Sequence, residues 1–164
     1  MARWPNGEKT VQLLIDRGRL ETFESSDVTG LASAQVHRAT LRLNATAVAA
    51  LENGDVDGAY AAAYDAYRMA AEALLARQGL RATGGDGSHM SVEDAASAQF
   101  AATIEAFAKP TFDRFRRTRH TAQYFDPSAA PITNPDAEWA IQKASAALAG
   151  VQALLSATPP ELFS

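Results

Sequence analysis

Apolar positions at spacings of three and four divide the chain into amphipathic helices separated by short polar or glycine-bearing breaks. Leu31, Val36, Ala39, Leu43, Ala47 and Leu51 predict a long helix starting near Asp27 or Val28. It stops at Asn53-Gly54, where glycine can take the left-handed capping conformation. Asp55 can cap the next helix, whose stripe of Val56, Tyr60, Ala63, Tyr64, Tyr67, Ala70, Ala71, Leu74 and Leu75 is the clearest in the chain. Gly79 ends it. A connection of one or two residues folds the two helices into an antiparallel hairpin.

Further along, Ser91 with Asp94 has the spacing of a capping box. It opens a helix running toward Ala108, with Phe100, Ile104 and Phe107 inward, which Pro110 interrupts. The next helix carries Phe112, Phe115, Ala122 and Tyr124 and gives way to turns from Asp126-Pro127 to Pro131. The last helix has a cap at Thr133 or Asn134, Pro135 in its first turn, and Asp136 and Glu138 at its positive end. Ile141, Ala144, Leu148, Val151 and Leu155 continue it until Pro159-Pro160.

The margins are less patterned. Residues 1–8 read as a frayed end, Lys9 to Leu20 as a short helix, and Glu21 to Asp27 as a connector. Leu80 to Met90 reads as a flexible loop containing Gly84, Gly85 and Gly87; a phosphate-cradling loop needs a preceding strand and a Gly-Lys-Ser/Thr ending, both missing here. Gly87-Ser88-His89-Met90 lies between two coherent helices and is read as part of the native chain. The sum is an all-α, up-and-down bundle of four to five helices, one domain over residues 1–164 with its core at about 28–156.

Composition sharpens this picture. A chain of 164 residues suits one domain and can bury a core without staples. Alanine supplies much of the apolar content, while valine and isoleucine are scarce, which disfavours sheet. The absence of cysteine excludes disulfides and thiolate chemistry. Neither an apolar leader nor a membrane-length apolar run is visible, so the expected location is the cytoplasm. With a net charge of −4, the whole chain exerts no general pull on nucleic acid, and any RNA contact must be local.

One segment offers such a contact. Between Arg114 and His120, four arginines and a histidine fall in seven residues: Arg114, Arg116, Arg117, Arg119 and His120. On a helix Arg116, Arg119 and His120 share a face, Phe112 and Phe115 point to the core, and Asp113 can pair with Arg116 or Arg117. A charged helix face is ordinarily solvated and paired with itself at little net energy. Like charges this dense repel, however, which points to an anion such as phosphate or to an acidic partner surface. Among the other candidates, His37 reads as a surface residue and His89, in the glycine loop, can approach the cluster. The Tyr60, Tyr64 and Tyr67 stripe reads as core or subunit seam before a base-stacking platform. Three scattered histidines without acidic residues at ligand spacing make no metal site, and no cofactor is expected.

The stretch from Ala59 to Leu80 resembles the second core helix of HEPN domains. The glycine turn with His89 and the later Arg-Arg-x-Arg-His-x-Ala-x-Tyr run (Arg116 to Tyr124) are similar to an actinobacterial HEPN branch in which a helix ends in Arg-Asn-x-x-Glu-Tyr. The resemblance covers roughly residues 28–156. It implies a helical bundle, usually a homodimer, that acts either as a metal-independent endoribonuclease or as a silent partner of a nucleotidyltransferase in toxin–antitoxin or defence modules. In the active members an Arg-x(4–6)-His motif holds the scissile phosphate and moves protons. Three registers stay open. Arg119 as the motif arginine puts Tyr124, a poor base at neutral pH, where histidine belongs. Arg114 with His120 has the right spacing but shares a face poorly. The third pairs Arg119 with the partner subunit's His120, histidine being suited to proton transfer near neutral pH. The implied catalytic set is Arg119, His120, Arg114 and Tyr124, with Arg116 and Arg117 binding RNA phosphate.

Overall fold

Helix caps written into the sequence set the lengths of the main elements. The computed structural model describes residues 6–85 and 87–164. In chain order these form α1 (Glu8–Asp16), β1 (Leu20–Thr22), α2 (Val28–Leu41), α3 (Val56–Arg77), β2 (Leu80–Ala82), α4 (Ser88–Phe100), α5 (Lys109–Gln123) and α6 (Asn134–Ala157). α2 runs on through a π-helical stretch, Arg42–Val48, and a last turn, Ala49–Glu52. Asp27 starts α2 by accepting the Gly30 N–H at 2.7 Å, and Asp55 starts α3 by accepting the Gly58 N–H at 2.9 Å. Between them Gly54 takes a φ of 80°, which closes the α2–α3 hairpin. Thr133 and Asp136 make a reciprocal capping box at the head of α6.

α3 is the central element. Its tyrosines and leucines are buried as expected, but so are Ala59, Ala62, Ala66, Met69 and Ala73, so the helix is enclosed on more than one face. Alanine makes this possible, because a small side chain lets neighbouring helices approach closely. α2 and α6 pack along α3, and α4 and α5 cover the rest of it. Tyr60, Tyr64 and Tyr67 are all fully buried and form core, so they offer no surface for base stacking. With Phe107, Phe112, Phe115 and Trp139 they build one aromatic cluster; Phe115 stacks on Tyr67 at 4.5 Å and lies 4.9 Å from Trp139. This cluster fastens α5, and therefore the arginines on it, to α3 and α6.

The structure departs from the pattern in four places. The connectors at residues 20–22 and 80–82 pair as an antiparallel ribbon, Leu20 opposite Ala82 and Thr22 opposite Leu80. Leu20 and Leu80 are buried, while Glu21 and Arg81 form an exposed pair at 2.6 Å. α4 begins at Ser88, ahead of the expected capping box, behind Gly87 with φ 83°. Ser91 lies inside the helix, and its hydroxyl donates to the Gly87 carbonyl at 3.3 Å. α4 ends at Phe100 instead of nearing Ala108, and a single 3₁₀ turn, Glu105–Phe107, follows. Pro110 does not interrupt a helix but lies in the first turn of α5, where its missing N–H costs nothing. The frayed end expected at residues 1–8 lies outside the described residues for residues 1–5, and Glu8 already begins α1.

Among the described residues, no helix is long and apolar enough to cross a membrane.

Candidate functional site: the arginine helix

α5 distributes its arginines over different neighbours. Phe112 and Phe115 face the core, which turns Arg114 toward α6 and Arg116 toward α4. The Arg114 guanidinium lies 3.8 Å from the Trp139 ring centroid and 3.5 Å from an Asp136 carboxylate oxygen. Arg116 pairs with Asp113 at 3.0 Å and with Glu93 at 3.6 Å. Two of the four arginines therefore have carboxylate partners within the chain. Arg117 is exposed, and neither it nor Arg119 makes an ion pair among the described residues.

Arg119 stands over the Tyr64 ring, 4.9 Å from its centroid, a cation–π contact across the α3–α5 seam. Its Nε is buried and has no hydrogen-bond partner among the described residues; the same holds for Arg68 Nε on α3 and His89 Nδ1 on α4. His89 feels both guanidiniums, and its ring lies 6.5 Å from Tyr64. An arginine Nε can only donate, so two of these three orphan atoms call for an acceptor. Arg68 otherwise pairs with Glu72 at 2.7 Å. His89 thus approaches Arg119 as its place in the chain suggested, although it lies in the first turn of α4 and not in a loop.

The anchor beneath this face is Glu93, a carboxylate only 3% exposed. The Tyr64 hydroxyl donates to it at 2.6 Å, and Arg116 approaches from the other side. Burial pushes the Glu93 carboxyl above the ordinary carboxylate range, against the pull of Tyr64 and Arg116. Burial likewise raises the Tyr64 phenol, and the neighbouring Glu93 charge adds to it, so Tyr64 remains a hydrogen-bond donor at any physiological pH. Burial lowers His89, and Arg68 and Arg119 lower it further.

His120 and Tyr124 lie at the open end. Both are exposed, with ring centroids 5.0 Å apart, and Tyr124 is the C-cap of α5 with extended backbone. No contact joins Arg114 to His120 among the described residues. Arg114 is occupied on the α6 side, whereas His120 on the last turn meets Tyr124 at the C-cap and Arg119, one residue before it, stands over Tyr64. Three contributors were not singled out from the sequence. Glu93 and Arg68 act through partners distant in the chain. Phe125, 95% exposed immediately after Tyr124, was legible as an apolar residue that belongs to no stripe.

Two ionisable groups, buried Glu93 and half-buried His89, make stability pH-dependent. Glu93 has a folded pKa above its unfolded one, so its favourable contribution is full below the ordinary carboxylate value and is lost as pH rises through the raised value. His89 has a lowered folded pKa. Its contribution is full above about 6.5, the ordinary histidine value, and is lost as pH falls toward the lowered one. Melting curves at successive pH values are expected to show wild type losing ground to Glu93→Gln as pH rises from about 4, and losing ground to His89→Gln as pH falls below about 6.5. Parallel curves for all three proteins would contradict the assignment.

Comparisons of the chain with protein-family models, with curated proteins and with solved structures returned no significant match.

Proposed function

We propose that this protein is an HEPN-like, RNA-associated module that holds a phosphodiester at the C-terminal end of α5. One observation carries the reading. In an acidic chain, Arg114 and Arg116 are neutralised by Asp136, Asp113 and Glu93, while Arg117 and Arg119, which precede His120, have no carboxylate partner among the described residues. Unpaired guanidiniums present a planar donor fork suited to phosphate oxygens. Arg119, fixed against Tyr64, is the positioned ligand, and exposed Arg117 adds charge. The expected homodimer would bring two such ends into one assembly, and the cytoplasm is the location that fits such a role.

Endoribonuclease activity of a toxin–antitoxin or defence kind is favoured by the placement of exposed His120 next to Arg119. In that chemistry the ribose 2′-hydroxyl attacks the adjacent phosphorus and the 5′-oxygen leaves, giving a 2′,3′-cyclic phosphate. One group takes the 2′-proton and another protonates the leaving oxygen. His120 supplies one of these roles, and the partner subunit's His120 would supply the other. The silent module, an RNA or nucleotide binder or a partner of a nucleotidyltransferase, is favoured by Tyr124 standing where the active motif carries histidine.

Labelled RNA incubated in EDTA with wild type and with an Arg119→Ala, His120→Ala variant separates these readings. Wild type is expected to bind the RNA and the variant to release it. New cyclic-phosphate ends with wild type alone establish the nuclease; bound but intact RNA establishes the silent module. RNA that neither protein binds or cuts overturns the RNA-associated reading and leaves only a module that binds a nucleotide or a partner protein, which co-purification of a stable partner would support.

A further inference from the structure

Tyr124 and Phe125 are the anomaly of the surface. They are 60% and 95% exposed, side by side, directly after the arginine helix. Exposed aromatic rings that follow directly on a helix bearing Arg117 and Arg119 have a specific chemistry. Nucleic-acid bases stack on such rings once their pairing partners are gone, and the cations hold the backbone between them. A second feature adjoins the rings. A cleft of about 360 Å³ lies between the first turn of α3 and the turn after α5, bounded by Asp57, Gln123, Tyr124, Phe125, Asp126 and Ile132. That volume can hold a single base with its sugar.

We propose that Phe125, Tyr124 and the cleft beside them form a docking site for one unpaired nucleobase of single-stranded RNA, whose adjoining phosphate lies on Arg119 and Arg117. The inference rests on the RNA-associated reading and adds the form of RNA recognised. The turn behind the rings is fixed in advance. The Asp126 carboxylate accepts the Ser128 N–H at 2.9 Å and the Ser128 hydroxyl at 2.6 Å, which ties the segment following Phe125. These bonds also hold Asp126 below the ordinary carboxylate range, so it stays an acceptor. Asp57 on the first turn of α3 is a second carboxylate at the cleft. Acceptors of this kind favour bases that carry an exocyclic amino group, namely adenine, cytosine and guanine. Uracil sets two carbonyl oxygens around its one N–H and is disfavoured there.

The probes are end-labelled hexanucleotides of adenylate and of uridylate and a blunt duplex of equal length, titrated by fluorescence anisotropy. The proteins are wild type, Phe125→Ala and Arg117→Ala, Arg119→Ala. Phe125 is almost wholly exposed, so its removal leaves the core intact. Phe125→Ala is expected to weaken adenylate binding roughly five- to hundredfold, the range of one lost base–aromatic stack, and to leave the duplex affinity nearly unchanged. Wild type is expected to bind adenylate more tightly than uridylate. If Phe125→Ala binds adenylate as wild type does while the arginine variant loses it, the stacking site is overturned and the phosphate site stands. If Phe125→Ala changes only self-association on a sizing column, the ring covers a protein contact and the proposal is overturned. RNA that wild type does not bind in any form overturns the RNA-associated reading itself.

Discussion

Phe115→Ala is expected to lose roughly 3–5 kcal/mol of stability and to melt about 6–20 °C below wild type. The ring is fully buried and touches four others: Tyr60 at 5.8 Å, Tyr64 at 5.6 Å, Tyr67 at 4.5 Å and Trp139 at 4.9 Å. Those neighbours come from α3 and α6, two long helices packed on each other, so they cannot collapse into the vacated space. The cost therefore combines lost transfer energy with a lasting cavity. Phe115→Leu keeps most of the volume and should lose under about 1.5 kcal/mol. Urea melts of the three proteins check this, and a loss below about 1 kcal/mol for the alanine variant would contradict the proposed role of the ring. The residue also links core to site, since it lies between Arg114 and Arg116. Its loss loosens the seam that holds Arg119 over Tyr64 and Arg116 near Glu93.

The second large effect belongs to Arg117→Ala, Arg119→Ala. Hydrogen bonds to charged groups are worth roughly 1.5–3 kcal/mol each, so losing the Arg119 contact alone weakens RNA binding on the order of tenfold to a hundredfold. Removing two phosphate contacts also flattens the dependence of log affinity on log salt by about 1.4, taking roughly 0.7 per contact on a single strand. Stability should change little. Arg117 is exposed, and removing Arg119 gives up its contact with the Tyr64 ring but also a buried Nε that has no partner among the described residues. Arg114→Ala offers the contrast. Its guanidinium packs on Trp139 and pairs with Asp136, so its removal affects stability more than affinity.

The helices that carry their own start and stop signals could be read from the sequence. Asp27, Gly54, Asp55 and Thr133 act locally, within a turn of the residues they cap; Gly54 and Asp55 do so as expected, α2 starts where expected, and of the two caps offered for α6 it is Thr133 that serves, with Asp136 closing a box that was not foreseen. The β1–β2 ribbon could not be read. Three residues per strand give no period, and the pairing joins segments sixty residues apart. α4 begins early because a left-handed glycine at Gly87 provides the entry, so the Ser91–Asp94 spacing is present but unused. Pro110 was ambiguous in principle, since proline both breaks a helix interior and suits a first turn.

The site was legible as a list of residues but not as an arrangement. Arg114 to His120 stands out by charge density alone. Which arginine is neutralised depends on Glu93 and Asp136, and these belong to other helices. Helical spacing grouped Arg116, Arg119 and His120. Folding sends Arg116 to Glu93, Arg119 over Tyr64 and His120 against Tyr124. Tertiary partners on α3 and α4 decide this, and a pattern within one helix cannot contain them.

The claim that a phosphodiester binds at the end of α5 is tested most directly by titrating labelled single-stranded RNA, in EDTA and at several salt concentrations, with wild type and with Arg117→Ala, Arg119→Ala. The account predicts salt-sensitive binding by wild type, with an affinity loss of about tenfold or more and a shallower salt slope in the variant. Equal affinity and equal slope in the two proteins would contradict it.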